Sequence, residues 1–255
     1  MSLPPGRRLA LSPMRRLAVD LLRACRGIPT VTAERRLELR ELVAARRRAP
    51  ARPAWSVLVA KAFALVAADT PALRQSYIGF PRPHLYEHAE PVASVVVERE
   101  YRGQHVVFYV QLRQAHKRSI ADLDAQLRHA KEAPVEGVAS FRVPLRLARL
   151  PGLVRRFVLW LCFHASGRLR ECHAGTFGLT SPACEGAGML HLITPLTATL
   201  HYGLLDAGGG LDMRLTFDHR VLDGAAAARA LVALEKALRG PILDEVRQPA
   251  TTAAA

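Results

Sequence analysis

The stretch DHRVLDG at residues 218–224 decides the interpretation of this 255-residue chain. Apolar and polar side chains alternate through residues 211–218 immediately before it, which is the period of two expected of a strand with one buried face. Apolar residues then recur at helical spacing over 224–239, and a Gly-Pro pair at 240–241 supplies a stop signal. His219 is therefore predicted at the end of a strand, in a turn that leads into a helix.

A histidine in such a turn is well placed to act as a base. The unperturbed pKa of imidazole, about 6.5, leaves it largely neutral at pH 7, when it can take a proton from a thiol or hydroxyl. Asp223 could anchor the loop through a buried salt bridge, and Gly224 allows a close backbone approach before the helix. The alternative interpretation of the same spacing is a strand-end histidine beside a surface aspartate.

The string DHRVLDG, with AAAARALVALEKAL after it, resembles the C-terminal signature of the catalytic domain of dihydrolipoyl acyltransferases, components of 2-oxoacid dehydrogenase complexes. Residues 175–181, GTFGLTS, resemble that family's GTFTIS segment. Weaker similarity runs through residues 28–32, 55–69 and 117–120, so the likeness covers the chain from about 13 to 245. It implies an α+β fold of the chloramphenicol acetyltransferase-like superfamily, a mixed sheet with helices packed on it, assembled as a trimer.

The resemblance also implies roles for individual residues. His219 corresponds to the family's general base, which deprotonates the acyl acceptor, and Asp223 corresponds to the residue that holds its loop. The arginine that pairs with that aspartate in the family falls on Arg23, and Arg26, one turn away, is the alternative.

The family serine that stabilises the tetrahedral oxyanion falls on Thr180. Threonine keeps the hydroxyl donor but adds a methyl group and stiffens χ1. The neighbouring Ser181 is expected on the opposite face of the strand. The alternative interpretation of Thr180 is an ordinary β-branched strand residue.

Composition and periodicity predict one catalytic domain over 13–243 between loose tails at 1–12 and 244–255. Helices are predicted near 13–26, 38–48, 55–69, 118–131 and 224–239. Strands are predicted near 29–36, 92–100, 104–113, 175–180, 196–205 and 211–218, with hairpin turns at 102–103 and 207–210. Hairpins with helices interspersed indicate an α+β protein.

The formal net charge of +14 comes mostly from arginine. Such an excess attracts CoA phosphates, anionic lipid, nucleic acid or an acidic partner. Nucleic acid is not favoured, because zinc-finger spacing, an RNA-binding aromatic motif and a helix-turn-helix signature are all missing from the sequence. The alternative is a solvated arginine-rich surface in an alanine- and arginine-rich proteome.

The segment 146–170 places an apolar run, residues 157–163, between two groups of arginines. The run is too short to span a bilayer. It could form an interfacial helix on an anionic membrane surface, a lid over an acyl pocket or a subunit contact. The alternative is a buried helix with arginine-rich ends.

The four cysteines, Cys25, Cys162, Cys172 and Cys184, form no CxxC pair, and neighbouring histidines do not make a zinc spacing. We therefore expect no metal. The sequence shows neither a secretory signal nor an apolar span, which predicts a reduced, cytoplasmic protein.

Together these features predict an acyltransferase that moves an acyl group between a CoA thioester and a thiol, hydroxyl or amine. No lysine in a lipoyl-type hairpin is visible, which predicts a stand-alone catalytic core without lipoyl and subunit-binding domains. We expect a homotrimer or larger homo-oligomer with active sites between subunits. The alternatives are a non-catalytic trimeric scaffold, its activity lost with the change of serine to threonine, and a basic protein that binds nucleic acid or a membrane surface.

Overall fold

Eight strands form two sheets in residues 6–181 and 187–248, the part of the chain that the computed structural model describes. The strands are β1 (Thr30–Glu38), β2 (Gln75–Ile78), β3 (His84–Glu87), β4 (Val92–Tyr101), β5 (Gln104–Arg113), β6 (Phe177–Thr180), β7 (Ala198–Leu205) and β8 (Gly210–Asp218). Six of them make one sheet in the order β1-β8-β7-β6-β4-β5, and β2 pairs with β3 separately. Strand β6 runs parallel to both neighbours and the other pairs are antiparallel, so the predicted mixed sheet is confirmed.

Both predicted hairpins are present, and each turn contains a glycine with positive φ. Arg102 and Gly103 have φ of 53° and 71° between β4 and β5. Gly209 has φ of 88° between β7 and β8, and an added Cβ there would lie 2.8 Å from the Cα of Arg40. The second turn therefore needs glycine for its backbone conformation and for its close approach to the next layer.

The described residues contain nine α-helices. They are α1 (Pro13–Ala24), α2 (Arg40–Arg48), α3 (Trp55–Asp69), α4 (Ile120–Glu132), α5 (Ala139–Arg149), α6 (Gly152–Trp160), α7 (Gly167–Ala174), α8 (Gly224–Arg239) and α9 (Pro241–Arg247). A π-helical turn at Leu161–Ala165 follows α6. The five predicted helices are confirmed within two residues at each end. Helix α6 contains the first part of the apolar run 157–163, for which a helix was among the alternatives, whereas α5, α7 and α9 were not predicted.

Helix α3 lies at the centre of the core, as its almost wholly apolar sequence indicates. Phe63 of this helix meets Phe177 of β6 edge to face, with ring centroids 4.9 Å apart. The buried Lys61 forms an ion pair with Glu245 of α9 and donates a hydrogen bond of 2.6 Å to the carbonyl of Arg118. The predicted tail from residue 244 is therefore wrong in its first residues, because α9 continues to Arg247 and is fastened to the core.

A second, smaller apolar cluster joins α1, α5 and α6. Its buried members are Leu17, Ala148, Leu159, Cys162 and Phe163. Beside it the buried carboxylate of Asp20 receives hydrogen bonds from Arg155 at 2.5 and 2.8 Å and from Arg156 at 2.9 Å. Burial alone would raise the pKa of Asp20, but the hydrogen bonds from both arginines bring that pKa below its usual value. These three helices therefore form one unit, closed by a buried ion pair.

Candidate active site

His219 lies where the sequence places it, immediately after the last residue of β8. Its backbone N–H donates to the carbonyl of Pro29 at 2.9 Å, and the N–H of Asp218 donates to the carbonyl of Thr197 at 2.9 Å. The side chain of His219 is exposed, and its ring centroid is 5.7 Å from that of Phe217. The loop is thus tied to two neighbouring segments while the imidazole stays accessible.

The loop is held by Asp218, the first residue of the DHRVLDG stretch, which is fully buried. Its carboxylate accepts hydrogen bonds from the backbone N–H of Arg220 at 3.0 Å and from the guanidinium of Arg220 at 2.9 and 2.7 Å. Its carbonyl accepts from the N–H groups of Val221 and Leu222. Asp218 and Arg220 therefore clamp the backbone on both sides of His219.

Two further residues, Tyr77 and Arg170, support this clamp. Arg220 lies over the ring of Tyr77, 4.3 Å from its centroid. Arg170 of α7 is 1% exposed and donates to the carbonyl of Pro195 at 2.6 Å, and burial lowers the pKa of its guanidinium to about 10, against the opposing attraction of Asp218. Neither residue was predicted, since each reaches the loop from a distant part of the chain.

Asp223 has a different role from the predicted one. It is exposed and caps α8, with its Oδ1 accepting a hydrogen bond of 2.6 Å from the N–H of Ala226. Arg23 lies elsewhere and pairs with Asp20 at 3.4 Å, so the predicted buried salt bridge between Arg23 and Asp223 is wrong for the single chain. Arg26 is exposed and does not take its place in the described residues.

Thr180 is half-buried at the carboxyl end of β6, on the sheet face opposite the helices of the main core. The adjacent Ser181 donates a hydrogen bond of 2.9 Å to the carbonyl of Tyr202, and this bond links it to the neighbouring strand β7. The segment reaches this position through Gly175, whose φ is 79° and where an added Cβ would lie 2.8 Å from the carbonyl oxygen of Val92. A glycine is therefore required where α7 gives way to β6.

A histidine outside the predicted site, His201, lies level with Thr180. His201 of β7 pairs with Thr180 in register, is 1% exposed and has its Nε2 3.2 Å from the hydroxyl of Thr216. Burial lowers the pKa of His201 to about 4, and the charge of Arg214 acts in the same direction. His201 is therefore a neutral polar group beside Thr180. The sequence did carry one signal for this residue, because His201 is a polar side chain within the otherwise mostly apolar strand β7.

Thr180 and His219 do not meet within one chain. The register places Thr180 level with His201 and His201 level with Arg214, five residues before His219 on β8. At about 3.4 Å per residue and 4.8 Å per strand, the two residues are separated by roughly 20 Å. They lie toward opposite ends of the sheet.

The described residues hold no group of three or more histidine, cysteine, aspartate or glutamate side chains able to bind a metal ion. Cys25 and Cys162 are buried free thiols, and burial raises the pKa of each to about 11. Cys172 is exposed, and Cys184 lies outside the described residues. None of the helices in the described part is long and apolar enough to cross a membrane.

Comparison with solved structures identifies the fold. A probable dihydrolipoamide acetyltransferase of Listeria monocytogenes matches with 16% identity over 98% of both chains and a TM-score of 0.66. The dihydrolipoamide acetyltransferase of Azotobacter vinelandii matches with 19% identity over 95% of this chain and 99% of that one, at a TM-score of 0.67. The cubic core of a pyruvate dehydrogenase complex matches with 18% identity over 95% of this chain and 99% of that one, at a TM-score of 0.65.

No protein-family model matches the sequence, and a search of curated proteins gave no significant match. The likeness therefore lies in the arrangement of strands and helices over nearly the whole chain. The predicted resemblance is confirmed at that level: this chain has the fold of the catalytic core of dihydrolipoamide acetyltransferases.

Proposed function

We propose that this protein is a CoA-dependent acyltransferase whose active sites form between subunits of a trimer or larger homo-oligomer in the cytoplasm. The observation that carries the proposal is the separation of Thr180 from His219 within one chain. A rigid loop presents an accessible imidazole at one end of the sheet, and a hydroxyl lies at the other end. A second copy can bring the two together, and one copy cannot.

In the proposed reaction, His219 takes the proton of the acceptor thiol, hydroxyl or amine as that group attacks the carbonyl carbon of an acyl-CoA thioester. The hydroxyl of Thr180 from the neighbouring copy donates a hydrogen bond to the oxyanion. The tetrahedral intermediate then breaks its carbon–sulfur bond, and the CoA thiolate leaves with the proton held by His219. The acceptor emerges acylated and the imidazole neutral.

Two features of the solved relatives support this assignment. The catalytic mechanism of the Azotobacter enzyme was investigated at a serine, a histidine and an asparagine, the last two of them four residues apart. His219 and Asp223 have the same spacing here, and the serine's counterpart is Thr180 in the resemblance described above. Another relative is a cubic core, which favours assembly beyond a single trimer.

Thiol release from a panel of acyl-CoA donors, followed with a thiol reagent in the presence of thiol, hydroxyl and amine acceptors, tests the activity. His219→Ala should lower kcat by roughly 10²–10⁴-fold. His105→Ala is the matched control, because His105 is also an exposed histidine. Undiminished turnover in His219→Ala would exclude the proposed base, and lack of turnover by the parent protein with every donor and acceptor would favour the scaffold alternative.

Complementation tests the location of the site. His219→Ala and Thr180→Val should each be nearly inactive alone. When the two are co-expressed and assemble at random around a ring, about a quarter of the interfaces pair an intact histidine with an intact threonine, so activity should return to about that fraction. Recovery cannot occur if each chain carries a complete site.

A further inference from the structure

We propose that α1, α5, α6 and α7, with the segments that join them, form a docking surface for an anionic membrane. The name basic layer is used here for residues 6–27 and 139–174. This inference is independent of the acyltransferase proposal, because it rests on the distribution of charge and exposed apolar side chains.

The charge of the chain is concentrated in the basic layer. Its 58 residues contain thirteen arginines and two acidic residues, a net charge of +11. The other 197 residues contain 23 basic and 20 acidic residues, a net charge of +3. An arginine-rich composition throughout the protein would not produce this difference, so the excess belongs to one region.

Most arginines of the basic layer are exposed to solvent, whereas its two carboxylates are buried or half-buried. Eleven of its arginines are exposed, namely Arg7, Arg8, Arg15, Arg16, Arg23, Arg26, Arg142, Arg146, Arg149, Arg156 and Arg168. Asp20 is 3% exposed and already paired with Arg155, and Glu171 is half-buried beside His88. Within the layer, therefore, exposed arginine is not balanced by exposed carboxylate.

The same layer presents apolar side chains to solvent. On α6, Leu153 is 80% exposed, Val154 47%, Phe157 60% and Trp160 38%. Their spacing of one, four and seven residues places them on one side of the helix. The ring of Phe80 packs 5.3 Å from that of Trp160 and extends the apolar surface, with Phe80 itself 52% exposed.

Exposed aromatic and aliphatic residues among arginines match the chemistry of an anionic bilayer surface. Arginines attract the headgroups, and an apolar helix face enters the boundary between headgroups and acyl chains. A nucleic acid would use the arginines but would leave Leu153 and Val154 unused. A second copy of this layer would bring eleven exposed arginines against eleven more. The lipid surface accounts for both features.

Flotation with phosphatidylcholine vesicles containing about one-third phosphatidylglycerol tests the proposal, with pure phosphatidylcholine as the comparison. The parent protein should float with the anionic vesicles only, and rising salt should weaken the binding. Replacing Arg142, Arg146 and Arg149 by glutamine should weaken it by roughly 100-fold, at about fivefold per arginine near the surface. Glutamine at Arg47, Arg48 and Arg229, three exposed arginines outside the layer, is the matched control and should have much less effect.

The apolar contribution is tested with Leu153→Ser/Phe157→Ser, and Leu204→Ser is the control for loss of an exposed leucine elsewhere. In a Trp55→Phe background, Trp160 is the sole tryptophan and its emission should shift to the blue on anionic vesicles. The proposal is overturned by equal binding to both vesicle types, by equal losses in the two arginine triples, or by tight nucleic-acid binding that Leu153→Ser/Phe157→Ser leaves unchanged. A loss of oligomer mass in that last variant would instead identify the face as a subunit contact.

Discussion

Two aspartates flank His219, and exchanging each for asparagine shows which one holds the loop. Asp218→Asn removes the negative charge that faces Arg220 and the buried Arg170, while keeping an oxygen that can accept from the N–H of Arg220. Breaking a buried ion pair by removing one partner typically costs about 3–5 kcal/mol, and here Asp218 and Arg170 are buried while Arg220 is partly exposed. In a chain of this size each kcal/mol lowers Tm by about 2–4 °C, so Tm should fall by on the order of 10 °C.

Asp223→Asn should behave differently. Asparagine caps a helix about as well as aspartate, so the cap on Ala226 survives and the free energy of unfolding should change by less than about 0.5 kcal/mol. Asp223→Ala removes the cap and should cost about 1 kcal/mol. If Asp223 instead formed the salt bridge that the family resemblance implies, Asp223→Asn would lose more stability than Asp218→Asn.

Equilibrium unfolding in urea at one fixed protein concentration measures these differences, because dissociation of an oligomer contributes to its apparent stability. Acyl-transfer kinetics on the same variants should show that Asp218→Asn also lowers kcat, since the clamp fixes the position of His219. A loss of more than about 2 kcal/mol in Asp223→Asn, with Asp218→Asn unaffected, would refute the assignment of the clamp.

Three other expectations follow from buried polar groups and from the strand register. Asp20→Asn should lower the free energy of unfolding by about 3 kcal/mol, measured by urea denaturation, because it leaves the 4%-exposed Arg155 without its carboxylate; an unchanged midpoint would mean that water already solvates this guanidinium. Thr180→Val should reduce kcat by roughly 10²–10³-fold with little change in KM, whereas Thr180→Ser should retain activity; a large loss in Ser181→Ala would assign the role to that hydroxyl instead. Since the pKa of His201 is lowered to about 4, the unfolded chain takes up this proton first as the pH falls. Stability should therefore decline from about pH 6.5 down to about 4, by roughly 3 kcal/mol in all, and the decline should be smaller in His201→Gln.

The sequence predicted the strands of the large sheet well because each carries its own signal. Residues 211–215 alternate in burial as they alternate in polarity, although Thr216 and Asp218 are buried as well, and the turn at 102–103 has the glycine that its backbone needs. Helix α5 was harder to predict because Pro144 lies inside it, and proline argues against a helix interior. In α6 the obstacle was a buried charge. Arg155 lies within an apolar helix and is buried against Asp20, a partner 135 positions away.

The role of Asp223 shows a limit of spacing as evidence. An aspartate four residues after a histidine and immediately before a helix satisfies a salt-bridge pattern and an N-cap pattern equally well. The choice depends on where an arginine from another segment lies. Arg23 was assigned by counting back from Ile28, but Asp20, one turn earlier on the same helix, engages it locally.

The support of the His219 loop extends into the segment where the sequence shows no family motif. Arg170 of α7 donates to Pro195 and lies 3.4 Å from the hydroxyl of Thr197, whose carbonyl receives the N–H of Asp218. From the other side, Tyr77 supports Arg220, and the residues that follow it, 79–80, donate both of their N–H groups to the carbonyl of His164 in the π-helical turn. Residues 161–170 therefore form hydrogen bonds with the two segments that adjoin the clamp around His219 on either side. Because these contacts are made by backbone carbonyls and by one buried arginine, the surface of α6 can vary while the position of the proposed base is maintained.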